Sequence, residues 1–383
     1  MFVTPLLKLM AEKKASDLFF SAGSPVQIKI NGEVMPVSSQ VLDADQVKRI
    51  CYELLNEIQV KEFESTHEMN FAQSGGELGN FRVNIFRQKN TVAMVIRFVQ
   101  PEVPSIESLN LPPILKEIIM EKLGLILVVG STGSGKSTTM ASMIDYRNSI
   151  RSGHILTIED PIEFVFKHKK SIVNQREVKV DTQSYETALI NAMREAPDML
   201  MLGEIRDRPT LQTALLFAQT GHLCMSTLHA NNSYNALNRI ISFFPREARE
   251  ALLADLAIAL RAVISQRLVR TVDGGRVPAM EVLLNTKHIQ DLIKNGEISQ
   301  IKEALERSLA PGSQSFEQAL YFLITSGKIA IDEAMANSDS PTNLHWLLTN
   351  APKPTEGDAA QLTTGKQPGD DIASIKLNLD ALG

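Results

Sequence analysis

The clearest chemical signal is a segment of the pattern GxxxxGK[ST] that follows an apolar run, Leu125–Val129. Its glycines let backbone N–H groups converge on phosphate oxygens, and the N-terminus of the following helix adds partial positive charge. Lys136 would reach the β- and γ-phosphates of a nucleotide, and the Ser137 hydroxyl would coordinate Mg²⁺. The predicted phosphate-binding residues are Gly130, Ser131, Thr132, Gly133, Ser134, Gly135, Lys136, Ser137 and Thr138.

Acidic residues follow two further apolar runs. A nucleoside triphosphatase needs a carboxylate at the end of a neighbouring strand to hold Mg²⁺ or its water. Glu204 follows Met199–Leu202 and supplies that carboxylate. Glu159, Asp160 and Glu163 lie just beyond Ile155–Ile158, and Pro161 favours an extended turn there. One of these acids could deprotonate the attacking water, although a solvated acidic turn is the alternative.

Two histidines, His222 and His229, flank the run Leu223–Thr227. A single histidine is usually a satisfied core or surface group. Because these two border one strand of the predicted nucleotide-binding sheet, we expect both to neighbour the phosphate site. His229 could donate a hydrogen bond to the γ-phosphate and report its loss.

The elements that must position these residues fall into two patterns. In the first hundred residues we predict a hairpin around Asn31–Gly32, a helix over Asp43–Phe63, and a strand pair at Phe81–Phe86 and Thr91–Phe98. From Ile114 onward, apolar strands alternate with helices, which indicates a parallel sheet covered on both faces. The predicted domains are 1–100, a proline-rich linker at 101–113, 114–285, a helical region at 286–350, and a disordered tail at 351–383.

Composition disfavours several classes of function, although a local basic groove stays possible. The chain has 383 residues and a formal net charge of -5, so there is no basic excess for nucleic acid or an anionic membrane. Two cysteines are too few for a disulfide framework and indicate a reducing compartment. The longest stretch without Asp, Glu, Lys or Arg, Pro209–Asn238, is too polar to cross a bilayer. We therefore expect a soluble protein without a signal peptide or direct membrane insertion.

Four motifs in order resemble the secretion ATPases of type II secretion and type IV pili. They are the phosphate loop, Thr157–Glu163, Leu202–Asp207, and the pair Thr220–His222 with Ser226–Ala230. The resemblance covers essentially Met1–Asn350. Within that superfamily the chain is similar to the PilT/PilU retraction branch, and its length and C-terminal extension resemble the PilU members.

This resemblance implies an α/β protein with a PAS-like α+β N-terminal domain, a RecA-like P-loop ATPase domain and C-terminal helices. It further implies a homo-hexameric ring that uses ATP and Mg²⁺, with nucleotide between neighbouring subunits. Glu204 would be the Walker B acid, holding Mg²⁺ together with Ser137 and partly through water. The other catalytic residues implied are Lys136, Glu163, His229, Arg82 and Arg97, with His222 in the same histidine box. Arginines in a half-buried sheet are more often solvated, which is the alternative for Arg82 and Arg97.

Two features favour the retraction branch and an accessory role within it. Assembly ATPases commonly carry an additional N-terminal domain and a four-cysteine zinc insertion, whereas this chain has only Cys51 and Cys224. PilT proteins carry Ala-Ile-Arg in their C-terminal helices, whereas the matching place here reads Thr286-Lys-His-Ile289. The main hypothesis is therefore a cytoplasmic motor, peripheral at the inner membrane, that acts on a platform protein of the pilus machine and possibly with a PilT-type partner ATPase. The alternatives are an assembly or type II secretion ATPase, a non-hydrolysing ring subunit that docks on a partner ATPase, and a DNA-translocating motor.

Overall fold

The computed structural model describes residues 2–30, 32–99 and 102–351. The chain divides into two compact units: the first runs to Val103 and includes Ile162–Phe166, and the second comprises Pro104–Pro161 and the chain from Lys167. Among the sequence predictions, the turn residue Asn31, the last residue of the predicted domain 1–100, the first residue of the predicted linker 101–113 and the tail beyond Ala351 lie outside the described residues. Within the described part, no helix is long and apolar enough to span a membrane.

The first unit contains a six-stranded antiparallel sheet in the order β3-β2-β1-β6-β5-β4. Successive side chains of a strand point to opposite faces of the sheet, and this alternation produces the core on one face. In β5, for example, Phe81, Val83 and Ile85 are buried, whereas Arg82 and Asn84 lie on the other face. The predicted hairpin and strand pair are confirmed. The strands are β1 Asp17–Phe20, β2 Ser24–Ile30, β3 Glu33–Leu42, β4 Glu68–Ser74, β5 Asn80–Gln88 and β6 Thr91–Val99.

Helices in this unit are α1 Thr4–Lys13, α2 Ala44–Tyr52 and α3 Glu57–Thr66. The single helix predicted over Asp43–Phe63 is wrong, because the structure has α2 and α3 there. Asp43 and Asn56 each cap a helix, accepting from the backbone N–H three residues on. An N-cap residue has extended backbone geometry, so Asn56 starts a new helix and interrupts the apolar periodicity.

The second unit is built on a seven-stranded sheet in the order β13-β12-β7-β11-β10-β8-β9. Neighbouring strands are parallel except for the antiparallel pair β12–β13 at one edge. The predicted parallel strands are confirmed, whereas β9, β12 and β13 were not predicted, because β12 mixes Arg, Ser and Gln with apolar residues. The strands are β7 Gly124–Val129, β8 Gly153–Glu159, β9 Ser171–Glu177, β10 Met199–Leu202, β11 Leu223–Leu228, β12 Leu260–Arg270 and β13 Arg276–Leu284.

Helices cover this sheet and continue to the end of the described chain. Phe316, Leu320 and Leu344 pack against Val269 and Val277, so the C-terminal helices share a core with the β12–β13 hairpin. The helices are α4 Ile114–Ile119, α5 Lys136–Ile150, α6 Tyr185–Ala192, α7 Arg208–Gln219, α8 Ser233–Ser242, α9 Arg249–Ala259, α10 Lys287–Lys294, α11 Ile301–Glu306, α12 Phe316–Thr325, α13 Ile331–Asn337 and α14 Pro341–Asn350.

Candidate active site

The glycine-rich loop connects β7 to α5 and closes tightly at two glycines. Gly135 has φ +88°, and a Cβ there would lie 2.8 Å from Nε2 of Gln266. A Cβ at Gly130 would lie 2.5 Å from Oγ of Ser134. Both positions therefore require glycine, the first for its left-handed backbone and both for lack of space. The loop has the strand-before, helix-after context that a phosphate-binding loop needs.

Lys136 begins α5 and lies against the loop. Its Nζ donates to the carbonyl oxygens of Gly130 and Ser131, at 2.9 Å each. The ammonium is therefore held at the loop, where a phosphate group would be cradled by the N-terminus of α5. Ser137 and Thr138 follow in the first turn of α5 and are half-buried.

Gln266 of β12 holds the loop and was not found from the sequence. Its Nε2 donates to the Ser134 carbonyl at 2.8 Å, and its Oε1 accepts from Oγ1 of Thr139 at 2.7 Å. The side chain is only 2% exposed. The one signal that could have found it is the pairing of β12 with β7, which brings Ser265 opposite Val129, next to the loop.

Glu204 lies at the same end of the sheet as the phosphate loop, because both follow the carboxyl ends of parallel strands. It follows β10, which pairs with both β8 and β11. Its Oε2 accepts from Nε of Arg206 at 2.8 Å, and its Oε1 lies 3.3 Å from Nε2 of His229. The hydrogen bond from Arg206 raises the pKa of that guanidinium. The structure therefore brings Glu204 and His229 together.

His222 lies at the opposite edge of the sheet. It precedes β11, and its carbonyl accepts from the Gly124 N–H at the start of β7. His229 instead follows Leu228, which pairs with Val129 at the phosphate-loop end. At about 3.3 Å per strand residue the two ends are roughly 20 Å apart. The prediction that His222 neighbours the phosphate site is therefore wrong within one chain, because His222 lies at the amino end of β11 and the phosphate loop lies at the carboxyl ends of the strands.

The acidic segment divides between the two units. Glu159 ends β8 and is 7% exposed, accepting from Thr157 Oγ1 at 2.7 Å and Gln175 Nε2 at 3.2 Å. Asp160 beyond it is exposed. Glu163 is also exposed, and it belongs to Ile162–Phe166, which is part of the first unit. Glu159 is thus a buried structural acid of the second unit, and Glu163 is available to solvent.

Arg82 and Arg97 are directly opposite each other on β5 and β6 of the first unit. Asp17 of β1 pairs with Arg97 on its other side, and its Oδ1 accepts from Nε of Arg97 at 2.9 Å. The Arg97 side chain is 64% exposed, whereas that of Asp17 is 7% exposed. Asp17 therefore fixes one end of a guanidinium that otherwise faces solvent.

A cavity of about 680 Å³ adjoins the phosphate loop within the second unit. Gly135, Thr138 and Gln266 line one side, and Asn110 and Lys328 line another. Its volume is in the range of small-molecule and cofactor sites. Its position beside the loop suits the nucleoside part of a bound nucleotide.

The donor set near Glu204 fits Mg²⁺. Among the described residues no group of three or more His, Cys, Asp or Glu forms a metal cage. Mg²⁺ does not need one, since it usually keeps several waters and binds through one or two carboxylates and substrate phosphates. Ser137 at the loop and Glu204 at the same sheet edge are side chains of the required kind.

These features together define a P-loop ATPase: a phosphate loop on a parallel sheet, with a carboxylate and a histidine at the same edge. Over residues 1–276 the sequence matches the family described as Type II/IV secretion system protein, and the chain belongs to that family. This confirms the family that the four sequence motifs indicated.

Individual relatives extend the match over nearly the whole chain. Type IV pilus ATPase PilU of Pseudomonas aeruginosa is 46% identical over 361 residues, which cover 94% of each protein. The type IV pilus retraction ATPase PilT of the same organism is 39% identical over 343 residues, 90% of this chain and all of that protein. A crystal structure of the pilus retraction motor PilT with bound ADP superposes with a TM-score of 0.84 at 40% identity, covering 90% of this chain and 99% of that one.

Proposed function

We propose that this protein is a homo-hexameric motor that hydrolyses Mg-ATP and powers or assists retraction of type IV pili. The proposal rests mainly on one observation: Lys136, Glu204 and His229 lie together at the carboxyl end of the parallel strands. The 46% identity to PilU over 94% of both chains supports the cellular role.

In this mechanism the backbone N–H groups of residues 130–135 and the ammonium of Lys136 bind the β- and γ-phosphates. Ser137 and Glu204 would hold Mg²⁺, which supplies positive charge to the β- and γ-oxygens when bound. His229, whose Nε2 lies 3.3 Å from Oε1 of Glu204, would donate a hydrogen bond to the γ-phosphate. The cavity beside Gly135 receives the nucleoside.

Glu163 is the proposed general base. It accepts a proton from water as the water oxygen bonds to the γ-phosphorus, and the bond to the β–γ bridging oxygen breaks to leave ADP. Arg82 and Arg97, from the same or a neighbouring subunit, would balance the charge of the transferring group. The exposure of Glu163 and of the Arg97 side chain supports these proposed roles, because exposed side chains can be reached by a bound nucleotide.

Steady-state turnover of the purified full chain tests hydrolysis. Lys136→Ala and Glu204→Gln should each lower kcat at least about 100-fold, because the first removes a cation from the phosphates and the second removes a carboxylate that would hold Mg²⁺. Lys8→Ala and Glu303→Gln are matched controls, since those side chains are 67% and 61% exposed on surface helices. Wild-type turnover in Glu204→Gln would refute the Walker B role. A wild-type protein that never turns over, alone or with a PilT-type partner, would favour the non-hydrolysing alternative.

We further propose that the motor acts in the cytoplasm at the inner membrane, on a platform protein, and as an accessory to a PilT-type ATPase. The accessory role rests on Thr286–Ile289, which stands where PilT proteins carry Ala-Ile-Arg. Deleting the gene should leave piliated cells with weak twitching or retraction under load. Loss of pili or of secretion would instead support the assembly or type II secretion alternative. Salt-sensitive DNA binding, disfavoured by the net charge of -5, would support a DNA translocase.

A further inference from the structure

Three charged side chains bind three consecutive residues just after His229. Arg267 NH2 donates to the Asn231 carbonyl at 3.2 Å. Asp339 Oδ2 accepts from Nδ2 of Asn232 at 2.8 Å. Glu281 Oε1 accepts from the Ser233 N–H at 2.7 Å. Every residue from 231 to 233 is thus fixed by a group from outside the loop.

Two of the three charges are paired with each other, and the third is held by a neighbouring hydroxyl group. Arg267 forms an ion pair with Asp339, and their side chains are 19% and 20% exposed. Arg267 also lies 4.0 Å from the ring centroid of Phe316 and donates to the Asn337 carbonyl. Glu281 is 6% exposed and accepts a second hydrogen bond, from Oγ of Ser265 at 2.9 Å.

Such a cluster is a costly way to obtain stability. Arg267 and Asp339 are half-buried. As an ion pair leaves water it becomes no better for stability than apolar residues of the same shape, whereas removing one partner leaves an uncompensated charge and is destabilising. Burial, the main effect on Glu281, raises the pKa of its carboxyl group. The cluster therefore imposes one geometry on residues 231–233 and penalises alternatives.

His229 lies two residues before this anchored segment. Its side chain is 44% exposed, and its Nε2 lies 3.3 Å from Glu204. An exposed side chain is held mainly through its own backbone, and that backbone runs directly into the anchored residues 231–233. A shift of the loop would move Nε2 relative to Glu204, and misplacement by about 1 Å can cost roughly 100-fold in rate.

We propose that Arg267, Asp339 and Glu281 are positioning residues for His229, and that the C-terminal helical segment thereby helps set the rate of ATP hydrolysis. Asp339 lies between α13 and α14, and Asn337 ends α13. The inference rests on the proposed role of His229 in hydrolysis.

Asp339→Asn in the full chain is the first test, with Asp332→Asn as its matched control. Asp332 is exposed in the first turn of α13, so the control removes the same charge close by without touching the loop. Asp339→Asn should lower kcat about tenfold with an unchanged KM for ATP, because it acts on positioning and not on uniform binding. Asp332→Asn should match the wild type.

A double-mutant cycle with His229→Ala separates positioning from a general structural effect. In the His229→Ala background, Asp339→Asn should have no further effect on kcat. If the losses in kcat from Asp339→Asn and His229→Ala add in the double variant, the proposal is wrong. It is also wrong if His229→Ala is impaired but Asp339→Asn has the same kcat as the control Asp332→Asn. If His229→Ala itself turns over normally, the proposed role of His229 fails, and the positioning argument fails with it.

Asn232→Ser keeps the test decisive if Asp339→Asn does not fold. Serine still caps α8, as Asn232 does through the Asn235 N–H at 2.9 Å, but it lacks the amide that donates to Asp339. The expected result is again a lower kcat at constant KM. A wild-type kcat in folded Asn232→Ser would refute the contribution of Asp339.

Discussion

Replacing Gln266 with leucine tests whether one buried amide holds the phosphate loop. Leucine has a similar volume, so the change removes the amide with little change in packing. It leaves the Ser134 carbonyl and the Thr139 hydroxyl without the buried partners they now have at 2.8 and 2.7 Å. Each buried group left without a partner costs about 1–3 kcal/mol. Allowing for partial relaxation, we expect a loss of about 2–4 kcal/mol in the free energy of unfolding of the second unit.

Denaturant titration with and without an ATP analogue measures both effects. At 100 times Kd, a ligand stabilises the wild type by about 2.7 kcal/mol. A tenfold weaker site in Gln266→Leu reduces this gain by about 1.3 kcal/mol at the same ligand concentration. Gln219→Leu is the matched control, because Gln219 is exposed and bonds only the surface residue Asp255 in the described structure. We expect that control to be within about 0.5 kcal/mol of the wild type.

A Gln266→Leu protein that unfolded within about 0.5 kcal/mol of the wild type and bound the analogue equally well would show that Gln266 does not hold the loop. Loss of stability with normal binding would show that Gln266 supports the fold without shaping the loop. Loss of both, absent from Gln219→Leu, is the predicted result.

Three further predictions concern the same unit. Gly135→Ala and Gly274→Ala both place alanine at positive φ, +88° and +85°, which costs about 1–2 kcal/mol of stability. Gly135→Ala should lose more than Gly274→Ala, because only its Cβ meets Gln266, and only Gly135→Ala should also lose nucleotide binding in calorimetry. Glu281 has a raised pKa in the folded state, so wild-type stability should fall as pH rises above about 4.5, the ordinary value, and denaturant titrations of Glu281→Gln should show a flatter pH dependence. Chelating Mg²⁺ should abolish turnover but leave the unfolding temperature of the nucleotide-free protein unchanged, because the metal is held largely by substrate phosphates.

Much of the site could be predicted from the sequence because its strands are continuous apolar runs. Met199–Leu202 is fully buried and ends one residue before Gly203, so Glu204 had to emerge at the carboxyl edge. The order of His222 and His229 around β11 also allows their positions to be predicted from the sequence. Since one precedes the strand and the other follows it, a parallel sheet must place them at opposite edges.

Other parts depend on packing that no local pattern records. Gln266 is one polar residue in a strand of mixed character, and its role appears only once β12 lies beside β7. Asp339 is 110 positions from His229 along the chain, beyond several helices, so its bond to Asn232 is invisible in the sequence. Glu163 follows an apolar strand of the second unit but belongs to the first unit. The spacing of residues along the sequence does not show that the chain passes from one unit to the other there.

Gln266 and Arg267 are consecutive residues of β12, and this explains why one strand serves two loops. Side chains alternate between the two faces of a sheet, so neighbouring residues must point in opposite directions. Gln266 reaches the Ser134 carbonyl of the phosphate loop, whereas Arg267 reaches Asn231 and Asp339. A slip of β12 by one residue would exchange these faces and remove both sets of bonds together. The nine-residue pairing of β12 with β13 opposes such a slip, so the edge hairpin fixes the phosphate loop and the His229 loop in a common register.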